Sequence, residues 1–203
     1  TTSGYVRFCF GKGLFVACFG TALEPKFIYS EDGVSWASVS EPPVSTRADN
    51  FISIAFNGAK FIAATTGAIF VSDDAVNWNS FDSPNSELLY NLWTFNDAFV
   101  SSTYSNSKSK NLMYKSVDGI TWDLIGQSRP YSAAVGDYFV GLENKNMFFL
   151  TEEMSGISKF TLDNGVSSPG SSGFKFVAYG NGIYICVGTS SPYMIRAVEE
   201  SED

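Results

Sequence analysis

With 203 residues, 44% of them hydrophobic, the chain has material for one ordinary domain with a sizeable core, and 18 Phe, 10 Tyr and 4 Trp favour strands over helical bundles. The absence of histidine excludes Ser-His-Asp and Cys-His catalysis and nearly every ordinary zinc, copper or haem site, so no metal and no cofactor is expected. Thirteen basic against 21 acidic side chains, net −8, argue against a nucleic-acid partner, and no apolar run approaches the roughly 20 residues of a membrane helix, so no membrane insertion is expected.

Period-two alternation and aromatic or β-branched runs predict strands from end to end, and no helical apolar stripe persists for ten residues. The first unit, about 5–40, reads as strands 5–10, 14–19, 26–30 and 36–40, with a hairpin turn at Gly11-Lys12-Gly13. Counting outward from Lys12 sets Phe15 across from Cys9 and leaves Cys18 unpaired with it. Cys9, Cys18 and Cys186 are an odd set inside apolar runs, which suits buried free thiols in a reducing compartment.

Similar hairpin turns follow at Asn57-Gly58 in unit 51–81, Asn96-Asp97 in unit 88–126, Gly136-Asp137 in unit 130–162, and Gly180-Asn181-Gly182 in unit 174–203. The aromatics that open the second strand, Phe15, Phe61, Phe99, Phe139 and Tyr184, recur at 46, 38, 40 and 45 residues, the length of a four-stranded unit. Between the third and fourth strands stand Ser30-Glu31-Asp32-Gly33-Val34-Ser35-Trp36, Ser72-Asp73-Asp74-Ala75-Val76-Asn77-Trp78 and Ser116-Val117-Asp118-Gly119-Ile120-Thr121-Trp122, starting 42 and 44 residues apart. Aligned on the last residue, the first strands place Cys9, Ala55, Thr94, Ala134 and Ala178 in a small column. Phe8, Ile54, Trp93, Ala133 and Val177 form a more apolar one. A ring of sheets converging on an axis wants small side chains at the centre and apolar ones between sheets.

The Ser-x-Asp turn resembles the Asp box, or BNR repeat, of sialidases, sortilin-type receptors and bacteriophage structural proteins, and its cadence is most like phage tail and receptor-binding proteins. The resemblance implies an all-β chain, a single five-bladed β-propeller over 1–203 with Asp-box turns between the third and fourth strands of each blade. In that reading Ser30, Asp32, Gly33, Trp36, Ser72, Asp74, Trp78, Ser116, Asp118, Gly119 and Trp122 are structural: the carboxylates accept backbone N–H groups and the indoles anchor the turn. The segment around Thr151-Glu152-Glu153-Met154 departs from the pattern by lacking the Trp. The fifth unit lacks a fourth strand, which points to an excised or assembled piece whose ring closes through Phe8 and Val177.

The function implied is a non-catalytic virion or surface recognition module, made in the host cytoplasm as part of a phage tail or fibre. Its partners would be other virion proteins or a host surface glycan, and a larger parent assembly could make it a homo-oligomer. Hairpin turns and Asp boxes share one end of such a ring, so the ligand falls to the opposite loops, with Arg47, Asn50, Tyr104, Asn106, Arg129, Tyr131, Lys145 and Tyr193 as binding candidates. One alternative is a purely structural virion platform or spacer. A second is a sialidase-like glycoside hydrolase, against which stand the missing Arg-Ile-Pro motif and only four arginines, Arg7, Arg47, Arg129 and Arg196. Its adjacent acids, Asp73-Asp74 and Glu152-Glu153, point to opposite faces of a strand rather than toward each other.

Overall fold

Lys12 and Gly13 carry φ of 50° and 76°, the paired positive values that a two-residue hairpin turn requires. They join β1 (Arg7–Gly11) to β2 (Leu14–Gly20) with Gly11 opposite Leu14. The turn therefore pivots between Lys12 and Gly13, not on Lys12, and Cys9 faces Val16 rather than Phe15. Cys18 faces Arg7, and Cys9 and Cys18 are both free thiols. Burial pushes the Cys9 thiol up to about 12 and raises that of Cys18 as well, so neither is a ready nucleophile.

The computed structural model describes residues 6–46, 49–83, 88–105, 110–127, 131–135, 138–143, 146–150, 157–161, 174–180, 183–188 and 194–198, and among these the side chains of 6–46, 49–83, 92–103, 112–126 and 185. The chain divides into two units, Thr1–Gln127 and Ser128–Asp203.

The first unit holds three four-stranded antiparallel sheets. β1 and β2 continue into β3 (Pro25–Ser30) and the short β4 (Ala37–Ser38), two residues where the sequence pattern predicts five. The second sheet is β5 (Phe51–Phe56), β6 (Phe61–Thr65), β7 (Ala68–Ser72) and β8 (Trp78–Asp82). The third is β9 (Leu88–Phe95), β10 (Ala98–Ser105), β11 (Lys110–Ser116) and β12 (Asp123–Gln127). Every strand pairs with its neighbour in sequence. The leading strands β1, β5 and β9 lie side by side in turn, the arrangement of blades around an axis.

Sheets one and two bury Val16, Cys18 and Phe27 against Phe51, Ile54, Phe61, Phe70 and Trp78. Sheets two and three bury Ile62, Ala64, Ile69 and Val71 against Leu92, Phe99, Leu112, Tyr114 and Trp122. Each fully buried Phe, Ile or Leu contributes about 1.5–3 kcal/mol by leaving water. Three residues separate Phe95 from Phe99, where four separate Phe10 from Phe15 and Phe56 from Phe61, so Phe99 pairs with Thr94 where Phe15 pairs with Phe10 and Phe61 with Phe56. The column headed by Cys9 and Ala55 therefore continues with Trp93, not with the small Thr94. Its neighbour runs Phe8, Ile54, Leu92. Ile54 and Leu92 are buried and Phe8 is exposed, and the side chain of Val177, expected beside Phe8 at ring closure, lies outside the described residues.

The second unit holds a four-stranded sheet, β13 (Tyr131–Val135), β14 (Tyr138–Glu143), β15 (Asn146–Leu150) and β16 (Ile157–Thr161). A three-stranded sheet follows, β17 (Phe174–Gly180), β18 (Ile183–Gly188) and β19 (Met194–Val198), and β13 lies beside β17 as β1 lies beside β5. The Thr151–Met154 turn lies outside the described residues.

Candidate functional site

The three Ser-x-Asp turns of the first unit are built alike. Asp32 Oδ1 accepts the Ser30 hydroxyl at 3.0 Å and the N–H groups of Val34 and Ser35 at 2.8 and 2.7 Å, and Ser30 Oγ accepts Gly33 N–H at 2.8 Å. Asp74 Oδ1 takes Ser72, Val76 and Asn77 at 3.2, 2.9 and 2.7 Å, and Asp118 Oδ1 takes Ser116, Ile120 and Thr121 at 3.0, 2.8 and 2.8 Å. Each indole closes its turn by donating to the carbonyl of residue 33, 75 or 119. Those residues all have φ near +70°, and Gly33 and Gly119 take it without a Cβ penalty while Ala75 bears one.

These donors govern the carboxyl groups. N–H bonds from Ser35 and Val34 hold Asp32 down from 3.8 to about 2. Burial pulls Asp74 and Asp118 upward, but the N–H groups of Asn77 and Val76 outweigh it and bring Asp74 to about 2, and those of Ile120 and Thr121 likewise lower Asp118. The acids are committed to their own turns.

Asn57 ties this end together. Its Nδ2 donates to the carbonyls of Asp97 at 2.9 Å and Val117 at 3.0 Å, while its Oδ1 accepts Ala59 and Lys60 N–H at 3.1 and 2.8 Å. Lys60 pairs with Asp73 at 2.6 Å, and Lys12 donates to the Asp73 carbonyl at 2.8 Å. Hairpin turns and Ser-x-Asp turns thus share one end of the three sheets. The sequence pattern marked Asn57 as a turn former only, since its partners lie 40 and 60 residues away.

The other end carries the loops between second and third strands and between sheets. There Thr21 bridges to Asn50, Ala22 N–H donates to Asp49 O at 2.8 Å, and Ser45 N–H donates to Ala22 O at 2.8 Å. Asn50 is exposed at this end, and Tyr104 is the penultimate residue of β10, opposite Asn111. Tyr131 opens β13 opposite Leu142 in the second unit. Arg47, Asn106, Arg129, Lys145 and Tyr193 lie outside the described residues. Asp73 and Asp74 diverge, one to Lys60 and the other into its turn, so they offer no opposed carboxylates. Among the described residues no three Cys, Asp or Glu side chains gather as metal ligands.

No protein-family model matches the sequence, and no curated protein sequence matches it. Solved structures do. A YCF48 bound to D1 peptide overlays with a TM-score of 0.66 at 15% identity, over 97% of this chain and 64% of that one. A catalytically inactive virginiamycin B lyase from Staphylococcus aureus with quinupristin overlays with 0.64 at 11%, over 99% and 73%. A nidogen/laminin complex overlays with 0.59 at 12%, over 98% and 77%. The chain thus spans less than two thirds of the YCF48 chain. These neighbours are β-propellers, and the chain has a β-propeller fold.

Proposed function

We propose that this chain is a non-catalytic recognition module of the Asp-box propeller type, a virion or surface component that binds a partner polypeptide through its loop end. The observation that carries the reading is the division of labour between the two ends. At the turn end the Ser and Asp side chains spend their hydrogen bonds on their own turns, and Asn57 spends its amide on neighbouring turns. The loop end of the first unit keeps the exposed Asn50, and the sequence puts aromatic and amide residues in the variable connections. Among propellers of this fold, one structure is of YCF48 with D1 peptide and another of a nidogen/laminin complex, which favours a polypeptide over a glycan. Five blades and a place in a phage tail belong to this proposal.

The test compares the parent chain with an Arg47→Ala, Tyr104→Ala, Tyr131→Ala variant in co-assembly with its native particle, beside a glycan array. Co-assembly lost at unchanged melting temperature supports the reading. Retained co-assembly, glycan capture by the parent, or hydrolysis of a fluorogenic sialoside overturns it.

A further inference from the structure

Asn57-Gly58 pairs a primary amide with a following backbone N–H whose residue has no Cβ to hinder its approach. Adjacency of this kind makes the side-chain amide labile. Gly58 N attacks Asn57 Cγ, forming a new C–N bond as the Cγ–Nδ2 bond breaks. Nδ2 takes up the Gly58 amide proton and leaves as ammonia. Water then opens the cyclic imide, at Cγ to leave aspartate or at the backbone carbonyl to leave isoaspartate. Within residues 1–127 the dipeptide Asn-Gly occurs only here.

We propose that Asn57 is a deamidation site, shut while sheets two and three are closed on each other and released when they part. In the closed fold four hydrogen bonds hold the carboxamide: Oδ1 accepts from Ala59 and Lys60, and Nδ2 donates to the carbonyls of Asp97 and Val117. Nδ2 is the departing atom, so it must first leave both carbonyls, and Cγ must turn from Ala59 and Lys60 toward Gly58 N. A side chain only 4% exposed has no room for either motion. Both become free when the turns of sheet three, which carry Asp97 and Val117, move away. The product cannot rebuild the clamp. An aspartate at 57 offers only acceptors to two carbonyls that require a donor. It also stands beside the Asp97 carboxylate, whose Oδ1 lies 3.4 Å from where a Gly58 Cβ would be. Isoaspartate lengthens the main chain by a carbon inside the turn that joins Phe56 to its partner Phe61. A transient separation of the two sheets is thereby recorded as a permanent one, whatever the loop end binds.

The experiment incubates the chain at mildly alkaline pH, folded in buffer and unfolded in urea, and follows conversion of amide to acid at position 57 by peptide mapping and mass spectrometry. Conversion should be at least about tenfold slower in the folded chain, where it waits on opening. Ile62→Val trims the contact between sheets two and three, and should speed conversion severalfold in the folded chain while leaving the rate in urea unchanged. Converted protein, separated from the parent by its extra negative charge, should melt at least about 4 °C lower, and the substitution Asn57→Asp should do the same. Three results overturn the proposal: equal rates at 57 in folded and unfolded chains, a folded rate indifferent to Ile62→Val, or converted protein that melts with the parent.

Discussion

The indole of Trp78 lies flat on the ring of Phe27, centroids 4.2 Å apart with 15° between planes. Phe27 belongs to the first sheet and Trp78 closes the Ser-x-Asp turn of the second, so one contact fixes a turn to the neighbouring sheet. Phe27→Ala or Trp78→Ala should each cost about 3–5 kcal/mol, with a coupling of about 1 kcal/mol in the double variant. Trp36→Ala, at the equivalent but exposed site, should cost less than either. Urea denaturation of the four variants checks the order.

Asn57 is buried between turns of two sheets. Replacing it with Ala leaves two carbonyls and two N–H groups without their partner, a loss of about 2–3 kcal/mol. Asn57→Asp should be no better, because its carboxylate would face the carbonyls of Asp97 and Val117. Chemical denaturation at pH 7 reads both, and an Asn57→Ala variant as stable as the parent would remove the clamp.

The turn carboxylates predict an acid limb. Their folded values lie below the ordinary 3.8, so the folded state binds fewer protons than the unfolded one; their stabilisation is fully present above pH 4 and is lost as pH falls toward about 2. Melting temperature should be level from pH 7 to 5 and drop between pH 4 and 2. Asp32→Asn, Asp74→Asn and Asp118→Asn combined should flatten that drop.

Gly33 and Gly119 share a left-handed conformation but not a neighbourhood. A Cβ on Gly119 would meet Val71 at 3.2 Å and Ile62 at 3.3 Å, whereas one on Gly33 would meet Phe15 at 3.7 Å, ordinary contact. Both substitutions to Ala carry the backbone cost of about 1 kcal/mol, and Gly119→Ala adds crowding in a packed core. Thermal melts should rank Gly119→Ala below Gly33→Ala.

What was legible in the sequence was local. Hairpin turns and Ser-x-Asp turns are written within seven residues, and their spacing located the strands and the propeller. Relations across sheets were not. The Cys9 partner slipped by one because Gly11-Lys12-Gly13 reads equally as a two- or three-residue turn until φ is known. Thr94 stands in the motif where Trp93 stands in the sheet, because Phe95 ends its strand at the turn whereas Phe10 is followed by the paired Gly11. Alternation shows that Phe8, Phe10 and Phe15 share a face but not whether that face is covered. Of the eight loop candidates, Asn50, Tyr104 and Tyr131 have described positions. A loop residue's role depends on neighbours that its own sequence does not encode.

Strand order has a consequence for biosynthesis. Because each strand pairs with the one before it, the backbone ladder of a whole sheet closes within one repeat of chain, before the next repeat has left the ribosome. Sheet one then waits with Val16, Cys18 and Phe27 uncovered until Phe51, Phe61 and Trp78 emerge. Folding should therefore proceed from the N-terminal side one sheet at a time, and nascent chains stalled after Gly20, within the first sheet, and after Asp82, past the second, should differ sharply in protease resistance.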